Sequence, residues 1–86
     1  MSPSSEVEVT LPAALHARPA AEAVRAASTF SADVEVRHGG RSASARSALR
    51  LMSLGAPAGA TVIVHATGDD AHLAALAVAE VLRIAE

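Results

Sequence analysis

A chain of 86 residues with no Cys, no Lys and a formal net charge of −2 excludes several kinds of protein at once. It is long enough to form one core without disulfides, it has no thiol for catalysis, a bridge or a Cys-built zinc site, and it has no lysine for Schiff-base chemistry. Apolar residues make up 51% of it, Ala foremost, yet Phe30 is its one aromatic residue; with no stacking platform and no basic excess, a nucleic-acid module is disfavoured.

Residues 1–5 are polar and read as a frayed end. They lack the basic stretch and apolar run of a signal or transit peptide, and no later run approaches a membrane span. The expectation is a cytoplasmic protein without membrane insertion. Glu6–Leu11 alternates polar residues with Val7, Val9 and Leu11, the pattern of a half-buried strand, and Pro12 stops it. Ala17–Thr29 is helical, with Ala20, Ala21, Val24 and Ala27 on one face and Pro19 harmless in the first turn. Asp33–His38 alternates again, Gly39-Gly40 signals a tight hairpin, and Arg41–Ala45 is the returning strand. Ser47–Leu54 reads as a short helix with Ser47 as N-cap and Gly55 as its stop. A turn over Ala56–Ala60 leads to Thr61–Thr67, a β-branched and central strand. Gly68-Asp69-Asp70 opens a last helix over Ala71–Ala85, the acids suiting its positive end.

The order is β-α-β-β-α-β-α, expected to form one α+β domain over residues 1–86. A four-stranded, mostly antiparallel sheet with the helices on one face is the simplest two-layer solution. On the last helix Ala74, Val78, Val81, Leu82 and Ala85 form the apolar face. Leu73, Leu76 and Ile84 fall outside it; a contiguous patch of the three would suggest self-association, against the expectation of a monomer.

The sharpest motif is Leu15-His16-Ala17-Arg18-Pro19-Ala20-Ala21, where a loop becomes a helix. The first N–H groups of a helix have no internal partners and, with the macrodipole, form an anion site. That site suits a neutral, nucleophilic imidazole, and it suits phosphoryl oxygens once the ring has taken them up. The backbone amides of Ala17 and Arg18 and the Arg18 guanidinium are the expected donors. No general base is required if the ring nitrogen itself attacks. On these residues alone, a plain cap at His16 and a solvated charge at Arg18 are the favoured reading, because motif matches this short arise often by chance.

The chain resembles the histidine-containing phosphocarrier protein HPr family of the bacterial phosphoenolpyruvate-dependent sugar phosphotransferase system. Leu15–Ala21 is close to that family's active-site signature, and Ser42–Gly55 is similar to the signature around its regulatory serine. The two stand at the family's spacing, and the resemblance runs from about Glu6 to Glu86. It implies an open-faced β-sandwich, a four-stranded sheet covered on one face by three helices. It implies that His16 is the phosphoryl acceptor, forming pros-phosphohistidine on Nδ1, and that Arg18 is the active-site arginine. It implies enzyme I as donor, the A components of sugar-specific enzymes II as acceptors, and no cofactor. Such a protein is a carrier and not an enzyme. Ser47 matches the serine that a dedicated kinase modifies in some bacteria, so a serine kinase/phosphorylase is a further implied partner. One departure is Ala13-Ala14, where the family often has Asn-Gly or Ser-Gly; a side-chain hydrogen bond from that loop is lost and backbone amides must serve.

Arg18, Arg25, Arg46 and Arg50 are expected to ring His16 and meet acidic partner surfaces. Ala21, Ala48, Leu51, Met52 and Leu54 are expected to supply apolar contact area. His38, His65 and His72 carry no ligand spacing, so no metal site is expected. Other readings remain open: a paralogous carrier of a nitrogen-related, fructose-type or dihydroxyacetone kinase branch, or a regulatory binding module that keeps His16 for other reasons.

Overall fold

A computed structural model describes residues 2–86. The elements are β1 (Ser4–Thr10), α1 (Ala17–Ala27), β2 (Asp33–His38), β3 (Arg41–Ser44), α2 (Ala48–Met52), β4 (Thr61–Thr67) and α3 (Ala71–Arg83). They form one four-stranded sheet in the order β1-β4-β2-β3. Every neighbouring pair is antiparallel, and the three helices cover one face. The expected open-faced arrangement holds, with β4 central between β1 and β2.

The N-terminal segment differs from the expectation of fraying. β1 begins at Ser4, not Glu6, because Ser4 and Ser5 pair with Thr67 and Ala66, and the carbonyl of Pro3 accepts a bond from the N–H of Gly68 at 2.9 Å. Met1 lies outside the described residues. The expected alternation on β1 holds, with Val9 3% exposed and the flanking Glu8 and Thr10 exposed. Gly39 and Gly40 take φ of 56° and 80°, the two positive angles that a tight hairpin turn between β2 and β3 requires.

The core is built from small branched and unbranched side chains. Val34, Val36, Val62, Val64 and Ala66 from the sheet meet Ala20, Ala23, Leu51, Ala75, Val78 and Leu82 from the helices. On α1 the buried stripe is Pro19, Ala20, Ala23 and Ala27; Ala21 is exposed and Val24 half-buried. These buried positions follow the helical repeat more closely than the expected set, and alanine lets the helix sit close to the sheet. Among the described residues no polar or charged side chain is buried. The other sheet face is polar. There Arg37 reaches Glu6 at 3.1 Å and Glu35 at 2.7 Å, and His65 Nδ1 lies 3.8 Å from Glu35.

Asp70 does more than favour the start of α3. Its carboxylate makes no cap bond. It accepts the N–H groups of Ser31 at 2.9 Å and Ala32 at 2.8 Å, and the Ser31 hydroxyl at 3.3 Å. The Ser31 N–H, foremost among these donors, holds the carboxyl below its ordinary value against a partial desolvation that opposes it. Gly68 permits this approach: with φ at +139°, a Cβ there would lie 2.9 Å from Ala32 Cα. The loop after α1 is thus pinned to the start of α3.

Candidate functional site

His16 is the N-cap of α1, in extended backbone at φ −92° and ψ −166°. Two buried leucines hold it in place. Leu11 and Leu15 are 2% and 4% exposed, and they anchor a loop whose Ala14 and His16 point outward. Backbone bonds fasten that loop to the segment after α2: Leu11 N–H to the Ala60 carbonyl at 2.8 Å, Gly59 N–H to Leu11 at 2.7 Å and Leu15 N–H to Ala56 at 3.0 Å. The Ala13-Ala14 pair therefore needs no side-chain hydrogen bond to fix the loop.

The helix begins with His16. Its carbonyl accepts the Ala20 N–H at 3.0 Å. The N–H groups of Ala17 and Arg18 have no hydrogen-bond partner among the described residues, and Pro19 has no N–H. Two free donors thus stand beside the imidazole, as an anion site at a helix start requires. The His16 side chain makes no cap bond, and no ion pair or hydrogen bond engages its ring among the described residues. It lines a shallow groove with Ala14, Leu15, Met52, Gly55, Ala56 and Pro57, which contains no carboxylate. The Ala56–Pro57 turn, not singled out in the sequence, forms one wall of the site.

Arg18 is exposed and forms no ion pair among the described residues. Arg18 lines a second groove with Glu22, Val81, Ile84, Ala85 and Glu86. The four arginines do not ring His16. Arg46 donates from Nη2 to the Ala32 carbonyl at 3.2 Å, beyond the C-terminal end of α1. The 11 residues of α1 span about 16 Å, so Arg46 lies a helix length from His16. Arg25, in the last turn of α1, is also distant from it. Arg50 is exposed on α2. Met52, at the end of α2, lines the His16 groove, whereas Arg46, just before α2, bonds to the loop after α1.

The apolar contact residues divide. Ala21 is exposed, and Ala48 and Met52 are half-buried. Leu51 and Leu54, expected at the surface, are core residues at 0% and 5% exposure. Leu49 is the outward leucine of α2, at 74%. Five helical residues give too short a repeat for the sequence to say which leucine turns inward. Ser47 is the N-cap of α2, and its Oγ accepts the Arg50 N–H at 3.2 Å. His72 is exposed beside Ser5, and His38 ends β2. Among the described residues no group of three His, Cys, Asp or Glu is placed to hold a metal, and no helix is long and apolar enough to cross a membrane.

The family model described as "PTS HPr component phosphorylation site" matches residues 3–83. The chain is 43% identical to the phosphocarrier protein HPr of Vibrio cholerae over 76 residues, covering 83% of this chain and 89% of that one. It is 40% identical to the phosphocarrier protein HPr of Haemophilus influenzae over 67 residues, covering 78% and 79%. The fold superposes on the crystal structure of a phosphocarrier protein HPr from Bacillus anthracis with a TM-score of 0.80 at 33% identity, covering 94% and 96%. A match along nearly the whole chain, at the sequence and the fold alike, places this protein in the HPr family of the phosphotransferase system.

Proposed function

We propose that this protein is a phosphocarrier of the phosphotransferase system, taking a phosphoryl group on His16 from phosphorylated enzyme I and passing it to the A components of enzymes II. The observation that carries the reading is His16 itself: exposed, at the N-cap of α1, beside two unpartnered backbone donors and in a groove without a carboxylate. The Nδ1 lone pair attacks phosphorus, the donor's bond to phosphorus breaks, and that electron pair stays with the donor. The Ala17 and Arg18 amides and the Arg18 guanidinium then hold the phosphoryl oxygens. The reverse displacement by an acceptor completes a stoichiometric transfer, so the protein is a carrier and not an enzyme.

The partner surface is the face shared by α1 and α2. Ala21, Ala48, Leu49 and Met52 offer apolar contact on these helices, and Arg18, Arg25 and Arg50 offer charge to acidic partners. Ser47 stands on the same helix, where a phosphate would place a dianion on that face and repel the same partners. A relay assay tests the reading. Labelled phosphoenolpyruvate and enzyme I should load the protein, and the loaded protein should label a sugar-specific A component. Loading without transfer to any sugar-specific A component, but with transfer to a nitrogen-branch or dihydroxyacetone kinase acceptor, would move the carrier to that branch.

A further inference from the structure

β1 is an edge of the sheet, and its pairing with β4 fixes which backbone groups it leaves free. The Leu11 N–H bonds the Ala60 carbonyl and the Pro3 carbonyl accepts the Gly68 N–H, so in this register the odd-numbered residues of β1 exchange backbone bonds with β4. The N–H and C=O groups of Ser4, Glu6, Glu8 and Thr10 therefore point to the open edge, and among the described residues no turn, loop or side chain takes them. All four residues are exposed. β3, the opposite edge, has four residues against the seven of β1, and its Ser44 carbonyl already accepts the Ser47 N–H at 3.2 Å. A long edge without such a cover is a template for another strand.

The side chains around the edge define which strand fits. On the polar face of the sheet stand Glu6 and Glu8. Glu6 meets Arg37 at 3.1 Å, and Glu8 forms no ion pair among the described residues. On the helix face Val7 is half-buried. The Ser5 hydroxyl lies 3.5 Å from His72 Nδ1, so the flank of α3 that carries His72 faces β1. Leu76, four residues further along α3, shares that flank and is 44% exposed. A second copy, paired antiparallel about Val7, would set Glu6 opposite Glu8 twice, and like charges directly opposite are destabilising. The edge thus repels its own copy and complements a strand that alternates basic with apolar residues.

We propose that the β1 edge binds an extended segment of another protein by strand addition, with Lys or Arg beside Glu6 and Glu8 and apolar residues between them beside Val7 and Leu76. The free backbone groups of Ser4, Glu6, Glu8 and Thr10 supply the ladder, and the two glutamates select the charge. This edge is separate from the face of α1 and α2, because β1 and β3 bound opposite sides of the sheet and α3 packs against both β1 and α1. Occupation of the edge leaves His16 open to loading, and the proposal does not depend on that loading.

The probe is a blocked peptide as long as β1 that alternates lysine with valine, titrated in millimolar excess into the isotope-labelled full chain. The amides of Glu6, Glu8 and Thr10 should shift and exchange their hydrogens more slowly, while those of Ser5, Val7 and Val9, already bonded to β4, change little. The same peptide N-methylated at alternate amides should not bind. Glu8→Lys should weaken binding about 3–10-fold at an unchanged Tm, the size expected for reversing one cross-strand charge pair. Shifts without slower exchange, equal binding of the N-methylated peptide, or an unchanged affinity of Glu8→Lys overturn the proposal. Protection of the same amides that grows with protein concentration in the absence of peptide assigns the edge to a second copy and overturns it as well.

Discussion

Leu49 and Leu51 stand two residues apart on one short helix and should fail in opposite ways when cut to alanine. Leu51 is fully buried and is the one buried residue within α2, whereas Leu49 is 74% exposed. A buried Leu→Ala change costs about 2–5 kcal/mol, depending on how far the site collapses. The helix is short, and its position is fixed by Leu51, so collapse is limited and about 3 kcal/mol is expected. In a domain of this size each kcal/mol moves the Tm by about 4–8 °C; Leu51→Ala should therefore melt roughly 12–24 °C below wild type. Leu49→Ala should stay within about 0.5 kcal/mol. Its effect belongs to docking: full burial of a leucine contributes about 1.5–3 kcal/mol, and three quarters of this one is available to a partner. The KM of enzyme I for the carrier should rise about 6–40-fold, with the Tm unmoved. Thermal unfolding followed by circular dichroism and steady-state transfer with the carrier as variable substrate decide it. A Tm loss as large for Leu49→Ala as for Leu51→Ala would refute the assignment of inward and outward faces on α2.

Three further changes probe the frame around the site. Ser47→Ala removes the side-chain acceptor for the Arg50 N–H and should lower stability by about 1 kcal/mol in chemical denaturation, whether or not Ser47 is ever phosphorylated. Gly68→Ala places a Cβ against Ala32 at a φ of +139°, and should cost at least about 1–3 kcal/mol for backbone strain alone; an unchanged denaturation midpoint would mean the loop yields freely. The Asp70 carboxyl is held below its ordinary value in the folded state, so its contribution is present above the unfolded carboxyl value and is lost as pH falls through the folded one. Between about pH 5 and pH 2 wild type should therefore lose more stability than Asp70→Asn, and parallel pH curves would contradict the latch between Asp70 and the Ser31–Ala32 loop.

Much of the fold was legible because its signals are local. Alternation in Asp33–His38, the Gly39-Gly40 turn and the β-branched run Thr61–Thr67 each specify an element within a few residues, and all three stand where the pattern puts them. What the sequence concealed depends on distant partners. Ser4 and Ser5 read as a loose end until Thr67 and Ala66 pair with them. Asp70 reads as a helix opener until Ser31 and Ala32 arrive from another loop. Arg46 reads as part of a charged ring until the Ala32 carbonyl claims it. At the candidate site the position of His16 at a helix start followed from Pro19 and the apolar repeat behind it. The wall contributed by Ala56 and Pro57 did not, because it comes from a turn forty residues along the chain that no periodicity connects to His16.

His16 is the proposed phosphoryl acceptor. Intact-protein mass spectrometry of wild type and His16→Ala, after incubation with phosphoenolpyruvate, magnesium and an active enzyme I, tests it most directly. Wild type should carry one acid-labile phosphoryl group and His16→Ala none, with both proteins folded. Equal labelling of both, or none on wild type while a control carrier is loaded, would contradict it.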